Sequence, residues 1–266
     1  MRHFAHHHIL TDRQHGFRAK HSCESQLILT INDLAKSIDT KTPVDMILMD
    51  FSMFSKAFDT VPHNRLLHKL QNFGITGRTH TWISNFLTKR RQRVVVDGDH
   101  SQWVQVKSGV PQGTVLGPLL FLAYINDLPD KITSEVRLFA DDCVMYRPVH
   151  DNSDVESLQA DLNTLSSWQD TWQMQFNPQK CFVLKISHSR NQSNHQYKYI
   201  RPIHSSRNGL TLISWCYYYQ RLEMGQTRSQ YYQQGQTSPW SCPQEFASLH
   251  KRPEGHGIQS PSAPAP

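Results

Sequence analysis

The chain has 266 residues but no run of about 18 consecutive apolar ones, so its sequence offers no membrane-spanning helix. Met1 to Leu10 is rich in histidine and lacks the apolar centre of a secretory leader. No Cys or carboxylate stands at a metal-site spacing from His6, His7 and His8. Cysteine is scarce: Cys23, Cys143, Cys181, Cys216 and Cys242 are scattered and odd in number. That pattern excludes a disulfide framework and a CxxC metal knuckle, and predicts a reducing, intracellular setting in cytoplasm or nucleus. No Gly-Lys-Ser/Thr follows a glycine-rich loop, which excludes a Walker-type phosphate cradle. Aspartate is missing from residues 191–266, which hold 10 Gln, 10 Ser, 7 of the 14 Pro and 7 of the 9 Tyr. That tail shows no sustained helix or strand period and reads as low in order. It carries four of the six net positive charges, so the +6 balance hints only weakly at a polyanion partner.

Residues 1–190 are patterned instead. Leu27, Ile31, Leu34 and Ile38 space a helix over Glu24 to Ile38, and Val44 to Met49 suits a buried strand. Leu66, Leu67, Leu70 and Phe73 mark a helix closed by Gly74. Trp82, Ile83, Phe86 and Leu87 mark another. Asp97-Gly98 lies between two β-prone runs and predicts a hairpin. Leu116 to Asn126 predicts a buried helix. Ser153 with Glu156 three residues on reads as a capping box, and Cys181 to Ile186 as a strand. Strands and helices mix without a βαβ rhythm, which predicts an α+β fold with one sheet backed by helices.

Acidic residues at strand ends carry the chemical signal. Asp50 ends the apolar run Met46-Ile47-Leu48-Met49. Asp141-Asp142 lies between two further strand candidates. Each alone also fits a cap or a turn. Together, convergent carboxylates suit Mg²⁺ and two-metal phosphoryl transfer. Between them, Ser108 to Leu120 is a Gly/Pro loop leading into an apolar helix.

Taken together, these segments resemble the reverse transcriptases of non-LTR retrotransposons, of the jockey-like and chicken-repeat-like groups. Asp50-Phe51-Ser52 with Lys56-Ala57-Phe58-Asp59 resembles motif A. Ser108 to Leu120 resembles motif B, Phe139-Ala140-Asp141-Asp142 motif C, and Asn177-Pro178-Gln179-Lys180 motif D. Gln14-His15-Gly16-Phe17-Arg18 resembles the family segment upstream of motif A. The resemblance implies a right-hand polymerase palm, an antiparallel sheet backed by helices. It implies RNA-directed DNA polymerisation, with RNA template, DNA primer and dNTP as partners and no membrane. Asp50, Asp141 and Asp142 would be catalytic. With Phe51 they would hold two Mg²⁺ ions, or Mn²⁺. Ser52, Phe58, Gln112, Gly113 and Lys180 would face the nucleotide. Lys89, Arg90, Arg91 and Arg93 would contact nucleic-acid phosphates.

Three departures from the family pattern predict a defective copy. Met53-Phe54-Ser55 interrupts motif A, placing Phe58 eight residues after Asp50 where the family has five. The fingers are expected to be partial, because the family's Arg-Pro-Ile stretch has no counterpart before Leu10. The primer-grip hairpin and helical thumb do not follow Arg190, which predicts a palm over 1–190 and an irregular tail over 191–266. One codon choice for Tyr217 to Thr227, read one base later, gives Thr-Ile-Thr-Lys-Asp-Leu-Lys-Trp-Gly-Lys. That resembles the family sequence after the primer grip and predicts an out-of-frame tail. The alternative to an impaired enzyme is a non-enzymatic remnant with weak nucleic-acid binding.

Overall fold

The computed structural model describes residues 2–51, 57–187, 195–199, 201–202 and 204–206. They fall within one unit, Met1–Gln220, and the second unit, Arg221–Pro266, lies outside them. Helices α1 (Arg2–His6) and α2 (Cys23–Asp39) precede strand β1 (Val44–Asp50). Helices α3 (Ala57–Thr60), α4 (His63–Asn72) and α5 (Gly77–Leu87) follow. Four two-residue strands come next: β2 (Arg91–Gln92), β3 (Val95–Val96), β4 (Asp99–His100) and β5 (Val104–Gln105). Then come helix α6 (Leu116–Ile125), strands β6 (Glu135–Phe139) and β7 (Asp142–Pro148), helix α7 (Asn152–Trp172) and strand β8 (Phe182–Ile186). The short strands β9 (Lys198–Tyr199), β10 (Arg201–Pro202) and β11 (His204–Ser206) come last.

The main sheet has the order β11-β8-β1-β7-β6. Strand β1 is antiparallel to both β7 and β8, and β6 is antiparallel to β7. Being central, β1 is buried on both faces, which explains its apolar run Met46 to Met49. Val44, Met46 and Leu48 pack with Leu34, Val144, Tyr146 and Leu184 on one face. Ile47 and Met49 pack with Phe121, Leu138, Leu162 and Phe176 on the other. Alternation along the strand thus separates a small core from a large one. The architecture is the α+β arrangement expected.

Local chemistry sets the element ends. Gly74, at φ +75°, follows the last turn of α4. Its N–H bonds Gln71 O at 2.9 Å, and the Ile75 N–H bonds Leu70 O at 2.9 Å, a paired C-terminal closure. Asp97 and Gly98, at φ +51° and +93°, turn β3 into β4, so the hairpin forms where expected. Two expectations change. Helix α7 is capped by Asp151, whose carboxylate accepts from Ser153 N at 2.7 Å, and not by a Ser153–Glu156 box. Helix α2 buries Cys23, Gln26, Thr30, Leu34 and Ser37, while Ile31 is 47 % exposed. The helix is rotated from its apolar stripe because Asp33 turns inward to Arg137 (2.8 Å) and Tyr146 (2.6 Å).

The packed region runs past residue 190. The Tyr197 hydroxyl donates to Asp45 Oδ2 at 2.7 Å with both residues buried, and β11 adds parallel to β8. Among the described residues, no helix is long and apolar enough to cross a membrane.

Candidate active site

The site grows from the C-terminal end of β1. Asp50 is its last residue and lies directly opposite Asp142 in the antiparallel register. Asp141 occupies the turn between β6 and β7, and its carbonyl accepts from Phe51 N at 3.3 Å. Strand pairing therefore brings three acids, 91 and 92 residues apart in sequence, to one sheet end. Like charges set opposite one another repel. Burial first, and then the charge of Asp50, hold the Asp141 carboxyl above the usual carboxylate range. Lys180 offsets part of this repulsion, its ammonium donating to Asp50 Oδ2 at 2.9 Å. The loop before β8 places it there, with Asn177 N bonding Asp50 O at 2.7 Å. The Phe51 side chain stacks on Phe176 in the core, with ring centroids 3.9 Å apart.

A second group gathers around motif B. Gly109, at φ +90°, lies so close to Asp59 that an added Cβ would be 2.7 Å from its backbone. Only glycine allows that approach. Gly109 N bonds Val61 O and Val110 N bonds Phe58 O, at 2.8 and 2.7 Å. His63 Nε2 contacts Gly109 O at 2.8 Å. The Gln112 amide donates to Asp59 Oδ1 at 2.8 Å, and Ser108 Oγ to Asp59 O at 2.9 Å. The Phe58 ring stacks on Phe121, with centroids 4.2 Å apart. Beside this loop lies a cleft of about 400 Å³ lined by Asp59, Arg90, Lys107, Ser108 and Gln112, among others. Asp59 is the member that sequence reasoning left without a role, although it stands beside Phe58 in motif A. Gly113 is exposed at φ +73°.

The basic run divides. Arg90 lines the cleft, and its Nη1 is buried without a hydrogen-bond partner among the described residues. Arg93 stacks over the exposed Trp103 ring at 4.7 Å. Lys89 and Arg91 are solvent-exposed. Ser52 and the inserted Met53-Phe54-Ser55 lie outside the described residues. On either side of that gap, Asp50 keeps its strand register and Phe58 its stacking.

The donor set is all hard oxygen, which suits a divalent cation such as Mg²⁺. Burial first and then Asp50 raise Asp141, a penalty that a bound cation would relieve, so the residues fit such an ion in kind. Among the described residues, no three His, Cys, Asp or Glu side chains stand together as a formed metal site.

The profile of the reverse transcriptase (RNA-dependent DNA polymerase) family matches residues 2–202. The chain belongs to the reverse transcriptase family. This reverse transcriptase chain is 32 % identical over 190 residues to a probable RNA-directed DNA polymerase from transposon BS of Drosophila melanogaster, covering 66 % of this chain and 20 % of that protein. It is 31 % identical over 193 residues to the corresponding protein of transposon X-element of that species, covering 66 % and 20 %. The RNA-directed DNA polymerase from mobile element jockey is 29 % identical over 177 residues, with coverage of 63 % and 19 %. The chain thus spans about a fifth of the length of the curated relatives it matches. Among solved structures, a telomerase of Candida tropicalis shows 14 % identity and a TM-score of 0.49, over 70 % of this chain and 38 % of that one. The α+β sheet of this reverse transcriptase, with its acids at one end, is a partial polymerase palm.

Proposed function

We propose that this chain is the palm of an RNA-directed DNA polymerase that adds dNTPs to a DNA primer on an RNA template. The observation that carries this reading is the meeting of Asp50, Asp141 and Asp142 at one end of the sheet, inside a reverse transcriptase domain. Asp50, Asp141 and Asp142, with the main chain at Phe51, would hold Mg²⁺ or Mn²⁺. Such ions supply charge to stabilise the attacking and leaving oxygens of phosphoryl transfer. Lys180 holds a positive charge beside Asp50, where it also neutralises a passing phosphate oxygen. Phe58 is braced by Phe121 as a flat wall for a nucleotide sugar. Ser52, Gln112 and Gly113 complete the nucleotide side. Arg90, which lines the cleft, would face phosphate there, and Lys89, Arg91 and Arg93 would flank it along nucleic acid. Cys143 and Cys181 are buried free thiols, which suits an intracellular setting.

Activity in this copy is impaired by Met53-Phe54-Ser55, because three added residues adjoin acids that need placement within about 0.5 Å. A version lacking those three residues extends an RNA-templated primer faster than the chain itself; equal rates refute the impairment. The tail is an out-of-frame reading of the same retrotransposon, which the genomic sequence around Tyr217 to Thr227 tests. A second reading, a nucleic-acid-binding remnant, is favoured by one observation: Lys180 already engages the Asp50 carboxylate.

A further inference from the structure

We propose that Gln14 is a positioning residue for the Asp141–Asp142 turn, acting through the peptide of Ala140. The proposal rests on reading Asp141 and Asp142 as metal-binding acids.

Ala140 joins β6 to the first of the two acids. Its φ is +52°, a region that residues with a side chain seldom adopt and keep only when their surroundings impose it. The turn therefore needs an external hold. Residues 13–16 supply one from the far end of the sequence. Leu138 N bonds Arg13 O and His15 N bonds Leu138 O, both at 2.8 Å, so this segment runs parallel to the end of β6. The Gln14 side chain, in a residue only 2 % exposed, then reaches the turn. Its Oε1 accepts from Ala140 N at 3.0 Å and from Gly16 N at 2.7 Å. Its Nε2 lies 3.5 Å from Ala140 O. One carboxamide thus faces both polar groups of a single residue. Gly16 closes the clasp: a Cβ there would lie 2.4 Å from Ala140 N, so no other residue fits against the turn. A carboxamide, a missing side chain and a parallel bridge converge on one residue. The residue held is the one that aims Asp141. The hydrogen bonds of Gln14 run to main chain, so it acts on the acids only through the turn.

Changes to groups that orient metal ligands typically cost 10- to 100-fold in metal affinity. Gln14→Met keeps the length and volume but offers no acceptor. We expect it to weaken Mn²⁺ binding, read by electron paramagnetic resonance of free Mn²⁺, by about tenfold or more. Leu34→Ala, in the small core on the other face, controls for lost stability: it lowers Tm and leaves Mn²⁺ affinity unchanged. Gln14→Met binding Mn²⁺ as the unaltered chain does overturns the proposal, as does an equal loss in Leu34→Ala. A measurement on the unaltered chain covers the case in which Gln14→Met does not fold. The Ala140 amide should exchange with deuterium as slowly as those of β6, and exchange at a loop rate also overturns the proposal. An unaltered chain that binds no Mn²⁺ while Ala140 stays protected refutes the metal reading and leaves the brace standing.

Discussion

Asp141 must hold a charge in a place that disfavours one. Burial is the larger cause and the Asp50 carboxylate the smaller, while Lys180 opposes both. A carboxyl raised in the folded state contributes stability that is full below the unfolded carboxyl range. That stability is lost as pH rises through the folded value. Asp141→Asn removes the penalty, so its Tm should exceed that of the unaltered chain at about pH 8, and the advantage should vanish near about pH 4. Melting curves across that range test this, and an advantage that grows on acidification contradicts it. Under the proposed function the same substitution also removes a metal ligand, so stability and activity are expected to move in opposite directions, as at other sites built to hold charge. The acids were legible in sequence only as a set, since each aspartate alone also fits a cap or a turn. The role of Gln14 was not: a glutamine 126 residues from Ala140 shows no partner until strands are paired.

At the scale of elements, Lys69 ties three helices together. It projects from α4 with 3 % of its side chain exposed and bonds Asp127 Oδ1 at 2.5 Å. The ring of Trp172 lies 3.7 Å from its ammonium, with Tyr124 and Trp168 also close. Burial lowers its pKa to about 8, against the pull of Asp127. Between about pH 8 and the ordinary lysine range near 10.4, the unfolded chain binds the extra proton, so this group makes stability rise with pH. The stability difference between the unaltered chain and Lys69→Met should therefore shift in favour of lysine across that window. Buried ion pairs are often replaced by apolar residues at little cost, whereas removing one partner costs about 3–5 kcal/mol. We expect Lys69→Met, which leaves Asp127 without its cation, to lose about 3–5 kcal/mol, and the double variant Lys69→Met/Asp127→Leu to lose less; denaturant unfolding separates them. Most helices and the β3–β4 turn follow from spacing and turn residues, as with Gly74 and Asp97-Gly98, whereas the strand order emerges only from the pairing. The face of α2 does not, because a buried polar contact from Asp33 outweighs its apolar stripe. Likewise the cap of α7 lies at Asp151, one of several oxygen-bearing residues in a row, between which spacing does not choose.

For the whole molecule, the net +6 is a poor guide to nucleic acid. The sheet and the family match over residues 2–202 mark the palm, while four of the positive charges lie in residues 191–266. Composition placed the end of the ordered region at 190, since the tail has no period to read. Long-range pairing adds what composition hides: Tyr197 enters the core and its hydroxyl serves the buried Asp45. Tyr197→Phe leaves that carboxylate without this donor and should cost about 1–3 kcal/mol of unfolding free energy. A neutral effect in denaturant unfolding means that the palm ends before residue 191. Met53-Phe54-Ser55, three residues beyond the family spacing, stand in sequence between Asp50 and Phe58 and lie outside the described residues.

The most direct test is primer extension on an RNA template, made in the version lacking Met53-Phe54-Ser55, with and without Asp141→Ala. The account predicts Mg²⁺-dependent extension that falls by at least about 100-fold on loss of Asp141. Extension that is unchanged by Asp141→Ala, or absent from both proteins although both are folded, contradicts it.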